Sequence, residues 1–139
     1  MLRLAALAGV VIFLCWPARA ETEAVIDTMQ EYMNFSEYNA GIIMPEQIDQ
    51  GIFEAVTFID TRSEEEFRAA TIPGAVHLGW REVFDRIDEI PEDGKTILFC
   101  NTGALSAQAV FALRVVGYEN VLVLQSGFSG WQENAAYRP

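Results

Sequence analysis

Three short runs of consecutive apolar or β-branched residues, Val56-Thr57-Phe58-Ile59, Thr96-Ile97-Leu98-Phe99 and Val121-Leu122-Val123-Leu124, are separated by stretches with helical spacing. Each run is continuous rather than alternating, the pattern of a strand covered on both faces. Strand and helix that alternate along a chain predict an α/β fold with a mostly parallel central sheet and helices on both of its faces. Ligands in such sheets bind beyond the carboxyl ends of strands. Asp60 ends the first run and Cys100 follows the second, so chemistry is expected there.

The segments between the runs read as follows. Ser63 and Glu66 form a capping-box pattern for a helix to about Ala69. Ile72-Pro73-Gly74-Ala75-Val76 turns the chain back, and Trp80 to Ile90 carries Val83, Phe84, Ile87 and Ile90 at helical spacing until Pro91 to Gly94 breaks it. Ser106 to Val116 is the next expected helix, with Gly117 at its C-terminus, and Ser126-Gly127 precedes a short helical turn around Trp131. Upstream, Ala24 to Tyr38 reads as a short amphipathic helix, Ile42-Ile43 as a short strand, and Pro45 as the opening of a turn through Ile48.

The N-terminus has the pattern of a secretory signal: Arg3, an apolar stretch from Leu4 to Trp16, and the small-x-small sequence Ala18-Arg19-Ala20. The stretch is shorter than the roughly 20 residues that span a bilayer, so cleavage, not a stable membrane anchor, is expected. Leu14 beside Cys15 disfavours lipidation. The expected organisation is a signal peptide over 1–20, an N-terminal extension over 21–41 and one domain over 42–139, in a periplasmic or secreted protein. Loss of Arg3 and Arg19 leaves seven basic residues against twenty acidic ones, a formal charge of −13. A polyanion such as nucleic acid would be repelled.

The same cleavage leaves Cys100 as the only cysteine, a candidate free thiol in an exported chain. It stands at a strand-to-helix turn, where converging backbone N–H groups and the positive end of a helix dipole favour thiolate. The loop Asn101, Thr102, Gly103, Ala104, Leu105 and Ser106 is expected to act mainly through its backbone N–H groups. One cysteine and one histidine, without paired spacing, do not build a closed zinc site, so no metal is expected.

Four blocks, in order and spacing, resemble the single-domain rhodanese (thiosulfate sulfurtransferase-like) family. They are Phe58-Ile59-Asp60-Thr61-Arg62; Phe67 through Ile72-Pro73-Gly74-Ala75; the Cys100-x-x-Gly103-x-x-Ser106 loop; and Leu124-x-x-Gly127-x-x-x-Trp131. The resemblance implies sulfur transfer, with Cys100 catalytic, residues 101–106 binding substrate through their backbone, and Asp60 and Arg62 in support. It implies no cofactor beyond a transient Cys100 persulfide. The partners implied are a small sulfur donor, a thiol or cyanide acceptor and, as a further option, a partner protein. Gly103 permits a backbone angle other residues resist, and Ser106 is expected to cap the following helix while facing the site.

Several positions depart from the family's pattern. The loop carries Ala104 and Leu105 and no cationic side chain, which leaves the donor open; Ala70-Thr71 stands where the family has Gly-His, and Ser126 where it has Gly. Arg62 is read first as a structural partner of Asp60 or Glu66, and second as a support of the loop and an anionic substrate. His77 is assigned a surface or strand-end role, Trp131 the core, and Glu64-Glu65-Glu66 a solvent-facing first helical turn. Two other functions compete. A non-catalytic rhodanese-fold binding module would use the scaffold alone, while a cysteine phosphatase or arsenate reductase would need Arg where this chain has Ser106.

Overall fold

Each of the three apolar runs supplies a strand of one parallel sheet. The computed structural model describes residues 16–139; the apolar stretch of the expected signal, up to Cys15, lies outside the described residues. The chain divides into two units, one ending at Phe35 and the other Ser36–Pro139. In the first, helix α1 (Trp16–Phe35) continues without a break across Ala20-Glu21, the expected processing junction. Among the described residues no helix is long and apolar enough to cross a membrane.

The second unit runs β1 (Ile42–Ile43), α2 (Gln50–Ala55), β2 (Thr57–Asp60), α3 (Glu64–Ala69), β3 (Val76–His77), β4 (Thr96–Phe99), α4 (Ala104–Val115), β5 (Val121–Leu124) and α5 (Gly127–Asn134). The sheet order is β1-β5-β4-β2-β3 with every neighbouring pair parallel, so the carboxyl ends of all five strands lie along one edge. Residues along a strand point alternately to opposite faces. Here Ile59, Leu98, Val121 and Val123 pack with Leu78, Val83 and the α4 residues Ala109, Val110 and Leu113. Phe58, Ile97, Phe99 and Leu124 pack on the other side with Ile48, Ile72, Phe128 and Trp131. Both faces are thus dry, which is why the runs are continuous. A fully buried side chain of this kind contributes about 1.5–3 kcal/mol as an upper estimate.

Three local expectations need correction, and one helix was not expected. The segment from Trp80 to Ile90 is not an α-helix but two short 3-10 turns, Trp80–Glu82 and Ile87–Glu89. Its entry is tied to the sheet edge, since Leu78 N donates to the Asp60 carbonyl (3.0 Å) and Trp80 N to that of Thr61 (2.9 Å). Val83 and Ile90 are buried further on, so tertiary packing overrides the helical period. Helix α4 begins at Ala104, two residues before the expected start, and Gly103 rather than Ser106 occupies its N-cap. Helix α2 escaped notice because six residues hold too little of a period; its cue is Asp49, whose side chain accepts from Ile52 N at 2.8 Å. Strand β3 forms where a turn was expected, pairing Val76 with Ile59 and His77 with Asp60.

Candidate active site

Cys100 is the residue immediately after β4, and the chain turns at Gly103 into α4, so the sulfur lies at the positive end of a 12-residue helix. Gly103 makes this turn with φ of +89°, and a Cβ there would stand 3.1 Å from the Leu124 carbonyl oxygen. Both the angle and the close approach call for glycine. The backbone N–H groups of Ser106, Thr102 and Leu105 reach the Cys100 sulfur, and the Ser106 hydroxyl lies 3.6 Å from Sγ. Burial, with Cys100 only 5% exposed, pushes the thiol up. The N–H groups and the hydroxyl together outweigh it, holding the thiol below its ordinary range.

The loop keeps its N–H groups on the sulfur because its carbonyls are occupied from behind. Phe128 N donates to the Cys100 carbonyl (2.8 Å) and Ser129 N to that of Asn101 (3.1 Å), both from the first turn of α5. This approach is so close that a Cβ on Gly127 would meet the Cys100 oxygen at 2.3 Å. The block Leu124-x-x-Gly127-x-x-x-Trp131 therefore serves the site as a brace. Trp131 takes its expected place in the core, stacked with Phe128 at 6.0 Å.

Asp60 and Arg62 form a buried support beside the loop. Arg62 donates from Nη2 to Asp60 Oδ2 at 2.6 Å and from Nε to Oδ1 at 3.0 Å, and its guanidinium lies over the Phe128 ring, 4.3 Å from the centroid. The same guanidinium donates to the Ala70 carbonyl (2.6 Å), and Thr71 Oγ1 donates to Asp60 Oδ2 (2.8 Å). The Ala70-Thr71 departure thus supplies a hydroxyl to the pair. Arg62 is the structural partner of Asp60 and reaches the loop through Asn101 Oδ1 at 3.4 Å.

Three readings are revised by these contacts. Asn101 acts through its side chain as well as its backbone: Nδ2 donates to Glu66 at 2.6 Å while Oδ1 faces Arg62. Glu66 accordingly does not simply face water; the Asn101 amide and then Ser63 hold its carboxyl below the usual range. Ser106 is fully buried inside α4, its hydroxyl between Cys100 Sγ and the Gly103 carbonyl (3.2 Å), rather than at a cap. Spacing from a helix start misplaces a residue when the start itself is misread.

A cavity of about 790 Å³ opens over Cys100, with walls that include Arg62, Glu66, Asn101, Thr102, Ala104 and Leu105. Trp80 and Arg81, from the segment expected to be a helix, and His77, expected to lie away from the site, also line it. His77 does not form a dyad with the cysteine. Its Nε2 lies 2.8 Å from the Arg62 carbonyl, an acceptor that requires N–H on that nitrogen, and its ring stacks on Phe67. Among the described residues no cluster of three or more His, Cys, Asp or Glu is arranged to hold a metal ion.

This architecture has counterparts among known proteins. The chain is 36% identical over 78 residues to a sulfurtransferase of Allochromatium vinosum, covering 56% of this chain and 73% of that one. It is 32% identical over 90 residues to the thiosulfate sulfurtransferase GlpE of Pseudomonas entomophila, covering 65% and 83% respectively. A rhodanese-related protein of Thermoplasma volcanium superimposes with a TM-score of 0.61 at 25% identity, over 66% of this chain and 90% of that one. Residues 44–134 match the model of the Rhodanese-like domain, a span that includes β2, β4, α4 and the whole Cys100 loop. The chain belongs to the rhodanese-like domain family.

Proposed function

We propose that this protein is a sulfurtransferase, or sulfane-sulfur carrier, in which Cys100 is the nucleophile. The observation that carries the reading is the sulfur itself: a nearly buried thiol held toward thiolate by the N–H groups of Ser106, Thr102 and Leu105 and by the Ser106 hydroxyl. Thiolate is the attacking species in sulfur exchange. Family membership and named sulfurtransferases among the relatives support the same chemistry.

In the proposed step the Cys100 thiolate attacks the outer sulfur of a donor. A sulfur–sulfur bond forms as the donor's own bond breaks, and the leaving group departs with the electron pair, as sulfite from thiosulfate or a thiolate from a persulfide. The product is a Cys100 persulfide anion, whose terminal sulfur a curved row of N–H groups can hold without a metal. An acceptor thiolate or cyanide then attacks that sulfur and returns Cys100 as thiolate. No proton changes hands in either step when both nucleophiles are anions, which accords with His77 being engaged elsewhere. The proposed setting is that of an exported protein, with a small donor and acceptor as partners.

The chain lacks the arginine that a cysteine phosphatase would use, having Ser106 there, buried and turned to the sulfur. Intact mass after incubation with thiosulfate, polysulfide or glutathione persulfide tests the proposal. One added sulfur on the wild-type chain, absent from Cys100→Ser, is expected. No addition from any donor would leave the fold as a binding scaffold.

A further inference from the structure

The uncharged loop leaves open what recognises the rest of a sulfur donor. Three arginines line the cavity, Arg62, Arg81 and Arg86. Arg62 is neutralised by Asp60, and Arg86 is paired with both Glu82 and Glu89. The glutamates of the wall are engaged as well: Glu64 with Arg68, Glu82 with Arg86, and Glu66 with Asn101 and Ser63. Among the described residues Arg81 makes no ion pair; it is exposed, its guanidinium 5.6 Å from the centroid of the Trp80 ring. In a chain with a formal charge of −11, Arg81 is, among the described residues, the wall cation without a carboxylate partner.

The cavity's size indicates the kind of anion. The cavity is open to solvent on one side, and its roughly 790 Å³ leaves far more room than a compact inorganic dianion occupies. Arg81 also lies outside the Cys100 loop, on the 3-10 turn Trp80–Glu82, so it faces the cavity from a different segment than the N–H groups that hold the sulfur. We infer that Arg81, with Trp80 as its platform, is a specificity-determining residue that binds a carboxylate on the organic part of a peptide-sized thiol persulfide. The inference deepens the sulfur-transfer reading and rests on it for the reaction, although not for binding.

S-Methylglutathione, which has carboxylates but no thiol to exchange, separates the two. Titration followed by NMR at the Trp80 indole is expected to saturate in wild type, to need about fivefold more ligand in Arg81→Gln, and to recover in part in Arg81→Lys. The dimethyl ester of the same peptide is expected to bind wild type and Arg81→Gln alike. Equal binding of the free acid by wild type and Arg81→Gln, equal weakening of acid and ester, or no saturable binding by wild type would each overturn the inference. Arg81-dependent binding with no sulfur ever added to Cys100 would instead refute the transfer reading and leave the anion site standing.

Discussion

Ser126 shows how a single side chain can sit at odds with its backbone. It is the only non-glycine residue with positive φ among the described residues, at 64°, a conformation that costs an L-residue about 1–2 kcal/mol. Its Cβ also excludes one at the next turn: a Cβ on Gly130 would lie 2.3 Å from it. Glycine at 126 removes the strain but makes the unfolded chain more flexible, which returns about 0.4–1 kcal/mol. Ser126→Gly is therefore expected to raise stability by a net ~0.5–1 kcal/mol, seen as an upward shift of the thermal midpoint. An unchanged or lower midpoint would mean that the serine side chain makes a compensating interaction in the brace behind the Cys100 loop.

At the scale of elements, the loop depends on neighbours that hold it from two sides, α5 through the Cys100 and Asn101 carbonyls and the end of β2 through Arg62. The Arg62–Asp60 pair is almost fully buried, and deleting one partner of such a pair leaves an uncompensated charge, a loss of about 3–5 kcal/mol. Arg62→Met is expected to destabilise the fold by that order in denaturant unfolding. Adding Asp60→Asn should restore part of the loss, because the remaining charge is removed. A double variant no more stable than the single one would show that the pair's other contacts, to Ala70 and Thr71, matter more than its charge.

What the sequence revealed of these elements follows from how much pattern each carries. β4 and β5 match the expected spans and β2 starts one residue later, because burial on both faces writes an unbroken apolar run. β3, two residues long, and α2, six, carry too little pattern to be read. The segment 80–90 carries a helical period that its tertiary ties override, and with it went the chance to place Trp80 and Arg81 in the cavity wall. Cys100 and its loop were legible as a nucleophile's setting; the Ser106 hydroxyl, the Asn101 bridge and the α5 brace were not, since they depend on distances between segments far apart in sequence.

Across the whole molecule, the acidic field and the local site oppose each other. A formal charge of −11 disfavours another anion anywhere on the protein. Yet exposed charges beyond a screening length of about 8 Å at physiological salt act weakly, whereas the loop's N–H groups touch the sulfur. The account therefore requires that the local donors win. The direct test is the rate of Cys100 alkylation by iodoacetamide as a function of pH, read by intact mass, in wild type and in Ser106→Ala. The rate rises as thiolate forms, so a depressed pKa moves the midpoint to lower pH. The wild-type midpoint is expected below the ordinary thiol value of about 8.5. In Ser106→Ala it is expected higher by about 1–2 pH units, the size of one hydrogen bond to a charged group. A wild-type midpoint at or above 8.5, unmoved by the substitution, would contradict the claim that this loop holds its sulfur as an anion.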